Sequence, residues 1–423
     1  MKKIKVNQIS VNDNKLKIDF SLSDDLKQFF KQTFMNIDYT INNQCLNHEN
    51  IPKSILVIPF LCNVLPIVWL EDVTIELDSI DKAFYESIPE FKNGYIDMYP
   101  DASFKGKVIA KVIEDNSFVN EYDKKKSALF FSGGVDSYCT LVKHLDENPD
   151  LISVWGSDIP YDNKDGWDVL SKSLEIEANE LKLPYIVVHS DFRKVIDEGL
   201  LGTKYFPVLH DYWWHGVQHG IALIGHAAPI CYIRKNNFLY IAATFYDGIK
   251  TTCASDPTID NFIKFSSAQV IHDSYIPRQD KIKEIVKARK NGVPINLHVC
   301  WQETSGENCC KCEKCCRTII GIMVEGEDPN NYGFNIGKHI LKKCKLLCKN
   351  NFEYNSIIQI LWCDIKNNAL KNKEIIKSAG YEEYLSWIYD FDFNNANNRV
   401  RIKYKKFKGL FKRALNKIKR KIV

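Results

Sequence analysis

The chain has 423 residues, 45% of them apolar and 12% aromatic, with a net charge of +4. That length and apolar content can bury a large core and predict two or three domains. No run of about 18 uncharged apolar residues occurs, and MKKIKVNQIS lacks the apolar stretch of a signal peptide, which predicts a cytoplasmic protein. Fourteen cysteines in such a chain point to thiols or metal ligands rather than to disulfides. The charge is uneven. Asp392 is the last acid and twelve Lys or Arg follow it, so with a total of +4 the chain up to Asp392 sums to −8.

In chain order, residues 1–122 carry alternating segments, KIKVNQISV and KLKIDFSL, then the apolar run ILVIPFLCNVLPIVWL, then TIEL and KVIAKVI. This predicts a β-rich N-terminal domain with a few helices. From Lys126 the pattern changes to strand, tight turn, helix, strand. Ala128–Phe131 suit a buried strand, LISVWG a second, and Trp167, Leu170, Leu174, Ala178 and Leu181 fall at helical spacing. PYIVVHS and NFLYIAA follow as strands, so residues 123–330 predict an α/β domain, a doubly wound parallel sheet with helices on both faces. Residues 331–398 predict a helical extension, and 399–423 a basic amphipathic tail.

The turn after the first strand of that domain reads SGGVDS. A tight turn into a helix exposes unpaired N–H groups where the helix dipole favours an anion, so a phosphate is the expected guest. Gly133 and Gly134 allow close backbone approach, Ser132 and Ser137 offer hydroxyl donors, Val135 opens the helix, and Asp136 can support a magnesium ion bridging phosphate oxygens. An ordinary glycine turn is the competing reading. GxxxxGK[ST] and GxGxxG are absent, which argues against the two commonest phosphate loops.

Six cysteines fall within CWQETSGENCCKCEKCC. The spacing Cys300-x8-Cys309-x2-Cys312-x2-Cys315 suits a tetrahedral thiolate zinc site; an iron–sulfur cluster uses the same ligands, and Cys310 or Cys316 could replace a neighbour.

SGGVDS resembles the PP-loop of the ATP pyrophosphatase superfamily at each fixed position of SGGxDS. Joined to the cysteine pattern over residues 126–325, it looks like the 7-cyano-7-deazaguanine synthases of queuosine biosynthesis and their relatives. The resemblance implies a PP-loop fold of the adenine nucleotide α-hydrolase type. It also implies ATP and Mg2+ at Ser132, Gly133, Gly134, Val135, Asp136 and Ser137, and zinc at Cys300, Cys309, Cys312 and Cys315. The implied activity is that of an AMP- and pyrophosphate-forming ligase or amidotransferase-like enzyme that adenylates a carboxylate or similar group. The chain departs from that family in about 120 residues before the loop and about 100 after the cysteines, and in YWWHGVQHG, where the synthases have an arginine–asparagine pair.

Other positions are weighed singly. His215, His219 and His226 fall at i, i+4 and i+11, one face of a continuous helix; this predicts a face lining the active-site cleft, with His215 and His219 as candidate bases, against plain helix packing or a second metal. Arg278 and Lys281 begin a predicted helix and are candidates for ATP phosphates, against a solvated amphipathic helix with Ile282, Ile285 and Val286 as its apolar stripe. Asp158, just past LISVWG, either faces the nucleotide or caps a turn. The tail RIKYKKFKGLFKRALNKIKRKIV has the pattern of a helix on an anionic membrane surface, which would make the protein peripheral to a membrane; an acidic protein and nucleic acid are the rival partners.

The expected substrate is a small-molecule acceptor. With no glutaminase-type nucleophile motif evident, ammonia would be free or come from a donor or operon partner protein. The second reading is ATP-dependent modification of a protein, a sugar or a nucleic-acid base within a surface-polysaccharide or antiviral operon. The acidic body disfavours nucleic acid.

Overall fold

Alternation near the N-terminus produces strands with one buried face: in β2 (Lys15–Leu22) Leu16, Ile18 and Phe20 are buried while the residues between them are exposed or half-buried. In the computed structural model of the chain the described residues are all except 1, 13–14, 48, 118–124, 247–248, 250, 267, 301, 303–304 and 399–423. The basic tail and its expected helix therefore lie outside the described residues.

The other strands are β1 (Lys3–Asn12), β3 (Phe34–Ile41), β4 (Gln44–Cys45), β5 (Thr74–Asp81), β6 (Lys107–Glu114), β7 (Ser127–Phe130), β8 (Asp150–Trp155), β9 (Tyr185–Ser190), β10 (Phe238–Ala242), β11 (Lys264–Phe265) and β12 (Ala268–Asp273). All twelve join one mostly parallel sheet in the order β11-β12-β10-β7-β8-β9-β3-β2-β1-β5-β6, with β4 beside β3. The run β12-β10-β7-β8-β9 is parallel throughout. Its strands read as near-continuous apolar segments, and β8 is buried over five consecutive residues, as expected where both faces are covered. β3 then pairs antiparallel with β9, Tyr39 opposite Val188, and carries the sheet on into the N-terminal strands.

That pairing changes the expected organisation. Two compact units emerge, Met1–Ser132 with Asp136–Tyr275, and Gly133–Val135 with Ile276–Val423. The boundary expected at 122/123 falls inside the first unit, because the N-terminal strands share backbone hydrogen bonds with β9 instead of closing a sheet of their own. The boundary expected at 330/331 falls inside the second.

The apolar run after Pro52 is helical, Lys53–Leu56 followed by Ile58–Leu70, and the latter buries twelve of its thirteen residues. Its length decides this: an apolar stretch of that size outruns an ordinary strand, and Pro59 sits in the first turn, where a missing N–H costs nothing. It packs on the helix His219–Arg234 at Gly225, where a Cβ would come within 2.5 Å of the Cys62 Cβ.

The described part of the second unit is mainly helical, including Arg278–Lys290, Glu313–Val324, Lys338–Asn350 and Ser356–Lys371. The Gln279 side-chain amide donates to the Gly321 carbonyl at 2.9 Å, and the Trp362 indole N–H to Glu313 at 2.8 Å.

Candidate functional site

The strand order reverses at the border of β7 and β10. β8 and β9 add on one side of β7; the chain then returns to place β10 and β12 on the other. SGGVDS leaves the carboxyl end of β7 at this reversal, the position where open parallel sheets leave a crevice. Gly133 adopts φ 70°, a left-handed conformation that disfavours any side chain, and lets the chain turn directly into the helix Val135–Lys143. The Ser132 N–H donates to the Ser137 hydroxyl at 3.4 Å and the two hydroxyls lie 3.3 Å apart, so both serines face one another across the turn. Asp136 lies in the helix's first turn. Sequence reasoning missed that the His298 N–H donates to the Gly133 carbonyl at 2.7 Å, two residues before Cys300; no pattern in the chain pairs these positions.

The thiols of Cys300, Cys309, Cys312 and Cys315 converge, all four sulfurs lying within 4.8 Å of one another. Cys300 and Cys312 are 4.0 Å apart and Cys309 and Cys315 3.9 Å, against about 3.8 Å for the edge of a tetrahedron with zinc–sulfur bonds of about 2.3 Å. Two N–H groups are aimed at sulfur: Cys312 N–H at Cys309, 3.3 Å, and Cys315 N–H at Cys312, 3.4 Å. Cys312 also caps the helix Glu313–Val324. The Cys315 thiol, then the Cys315 N–H and the other thiols, bring Cys312 down to about 5 against the effect of burial, and the same thiol contact pushes Cys315 well up. Burial raises Cys309 to about 11. Four thiols this close ionise together only around a cation, so the donor set fits a metal such as zinc. Cys310 and Cys316 stand outside the group. The Cys310 thiol donates to the Asn308 carbonyl at 3.5 Å, and Cys316 pairs with Cys344 at 3.1 Å.

The three histidines do not share one face. Trp214–Gln218 is a π-helical turn, which resets the helix phase between His215 and the α-helix that begins at His219. His215 is exposed and its Nδ1 meets the Asp211 carboxylate at 2.6 Å. That carboxylate, the Cys253 thiol next, hold the imidazole's pKa up to about 10. His219 packs edge-on against Trp214, and burial lowers its pKa. His226 is fully buried between the Ala222 carbonyl, 2.6 Å, and the Ser190 hydroxyl, 2.9 Å; burial holds it down at about 4. It is a core residue, and the cleft-lining face expected of all three is not formed.

Arg278 and Lys281 are buried, at 6% and 0% exposure, which rules out the solvated helix face for these two cations and requires polar partners. Arg278 lies 3.4 Å from the Thr318 hydroxyl. Ile282, Ile285 and Val286 are buried as the apolar stripe. Asp158 is exposed past β8 and accepts from the Trp214 indole N–H at 3.3 Å. A cavity of roughly 240 Å3 lies nearby, lined by Gly156, Ser157, Tyr161, Ser190 and Arg193 among others.

A polar cluster at the end of β12 also escaped the sequence. Asp273 meets Lys143 at 2.9 Å, the His144 ring at 3.4 Å and the Ser274 hydroxyl at 2.6 Å. Burial alone would raise its pKa; these donors hold it well below the usual carboxylate range.

Among the described residues no helix is long and apolar enough to cross a membrane. No protein-family model, curated protein or solved structure matches the chain.

Proposed function

We propose that the chain is an ATP-dependent, AMP- and pyrophosphate-forming enzyme of the PP-loop kind that adenylates a carboxylate or similar group on a small-molecule acceptor. The observation that carries this reading is the SGGVDS turn at the carboxyl end of β7, where the parallel strand order reverses, with Gly133 at φ 70° opening directly into a helix. In the proposed chemistry an acceptor oxygen attacks the α-phosphorus of ATP and pyrophosphate leaves. The turn's N–H groups and the hydroxyls of Ser132 and Ser137 hold the departing phosphates, with Val135 fixing the helix start. Asp136 supports Mg2+, which when bound supplies charge neutralisation on the phosphate oxygens. Asp158, Arg278 and Lys281 are further nucleotide candidates; His219, its pKa lowered by burial, is the candidate base, while His215, its pKa raised to about 10 beside Asp211, stays charged at neutral pH. The cysteine quartet has the closed, all-thiolate composition of a structural zinc site, which would contribute folding free energy rather than chemistry.

Amide formation after adenylation would need ammonia, free or from a partner protein. The excess of acid before Asp392 favours a small acceptor over a nucleic-acid base. A cytoplasmic location, with the basic tail at an anionic membrane, completes the proposal.

The test is turnover of α-labelled ATP by the full-length protein with Mg2+ and a fractionated metabolite extract. AMP and pyrophosphate are expected, together with an adenylated acceptor. Asp136→Ala should lower AMP formation by about 100-fold or more, because metal-supported charge stabilisation amounts to several kcal/mol. ADP and phosphate without AMP would overturn the mechanism.

A further inference from the structure

We infer that β6 is a docking edge for a second copy of this chain: the two β6 strands pair antiparallel about a two-fold axis, and the sheet runs on from one copy into the other. β6 ends the strand order, and among the described residues it pairs only with β5, in one constant register from Thr74 opposite Lys107 to Asp81 opposite Glu114. The N–H and C=O groups that point away from β5 are a template for a further strand. The surface lies outside SGGVDS and the cysteine quartet, so it stands or falls separately from the proposed ATP chemistry.

The two ends of the sheet differ. β11, at the other end, has two residues, a length that protects an edge from pairing. β6 has eight, with no proline, glycine or bulge among them, and Ile109, Val112 and Ile113 stand 44%, 52% and 50% exposed. Large apolar side chains concentrated on one edge strand favour an occupant that takes them out of water.

The strand's own sequence says which occupant fits. Alternate residues share a face, and the odd-numbered face, from Lys107 to Ile113, is exposed throughout. A two-fold axis perpendicular to the sheet keeps each face continuous, so odd positions oppose odd ones. With the axis at Lys111, Ile109 opposes the second copy's Ile113, and Lys107 opposes its Asp115, just past the strand; symmetry makes each pair twice. Lys111 meets its own equivalent at the axis, where Asp78 at 2.8 Å balances each lysine, so the four charges sum to zero. Moving the axis to Ala110 would set Ile109 against Lys111, and moving it to Val112 would set Ile109 against Asp115. Matched apolar and opposite-charge pairs stabilise a strand pair, and here one register alone supplies both.

The test is the oligomeric state of the full-length protein, by size-exclusion chromatography with light scattering over a dilution series. A dimer that dissociates on dilution is expected. Ile109→Lys, at an exposed position, should weaken it by about tenfold or more with an unchanged circular dichroism spectrum, because symmetry sets a charge against isoleucine twice. Lys107→Asp should weaken it several-fold by facing Asp115, and Lys107→Asp with Asp115→Lys in the same chain should restore it, a rescue that a general surface effect would not give. In a Cys45→Ser background, which removes the exposed native thiol, Lys111→Cys should link the two copies through position 111 on mild oxidation, read by peptide mass spectrometry. Opposed residues of an antiparallel pair lie about 4.5–5.5 Å apart between Cα atoms, within disulfide reach. A monomer at every concentration, a dimer indifferent to Ile109→Lys, or no link through position 111 would each overturn the interface.

Discussion

The cysteine quartet and the histidine stretch from His215 to His226 were both read from spacing, and the structure treats them differently. Three of the four cysteines lie within seven residues, and the turns between them are held by N–H groups aimed at sulfur. Over so short a span the covalent chain itself brings the ligands together. The histidines span twelve residues, and their common face depends on an uninterrupted helix phase. One π-helical turn breaks that phase and distributes them among an exposed ion pair, an aromatic edge and the core. Spacing is reliable where it is a local constraint and fails where it must be propagated.

The largest effect should come from breaking the quartet. Elemental analysis should find one metal ion per chain, zinc being the expected one. Chelation or Cys312→Ser should remove it and destabilise the second unit by several kcal/mol, because metal binding free energy is folding free energy. Cys316→Ala should keep the metal, since its thiol pairs with Cys344 and not with the four. An unchanged melting temperature after Cys312→Ser, or iron with sulfide in place of zinc, would break this side of the comparison.

The histidine stretch gives a smaller, pH-dependent effect whose sign differs along it. His226 has a folded pKa near 4, below the ordinary value of 6.5. As pH falls below 6.5 the unfolded chain binds a proton that the folded chain refuses, so its contribution is lost between about pH 6.5 and 4. At about 1.4 kcal/mol per pH unit the loss reaches about 3 kcal/mol. His215 is the reverse: with its pKa raised to about 10, its contribution is present below 6.5 and fades as pH rises through 10. Urea unfolding of wild type and His226→Gln across pH 4–7 checks the first. Parallel curves would mean that His226 is not a buried neutral residue.

The strands of the parallel run were legible because buried β segments are nearly continuous apolar runs, as in LISVWG and PYIVVHS. The long helix Ile58–Leu70 was less so, since a segment buried on all sides has no periodicity to separate helix from strand. The merging of the N-terminal strands into the same sheet was not legible at all. It rests on backbone pairing between β3 and β9, almost 150 residues apart in the chain, to which side-chain patterns are blind. The same holds within the candidate sites. SGGVDS and the quartet are each confined to a short stretch of chain and are legible there, whereas Asp211 with Thr252, Asp273 with His144, and His298 with Gly133 are brought together only by the fold.

Gly133 sharpens the comparison at its shortest range, a single residue. At φ 70° an alanine carries a left-handed penalty of about 1–2 kcal/mol, so Gly133→Ala should lower stability by no more than that. If the turn serves only to join β7 to the following helix, ATP turnover should fall in proportion to the folded fraction. If its backbone N–H groups cradle phosphate, the same small shift must also misplace them, and KM for ATP should rise while the folded fraction measured by circular dichroism stays near that of wild type. The carbonyl of Gly133 accepts from the His298 N–H, so relaxation of the turn is opposed from a distant part of the chain. The strain is then expected to remain in the loop, where the ATP measurement can detect it. An unchanged KM with full folding would reduce SGGVDS to a connector and leave the quartet as the one short-range motif whose chemistry its spacing foretold.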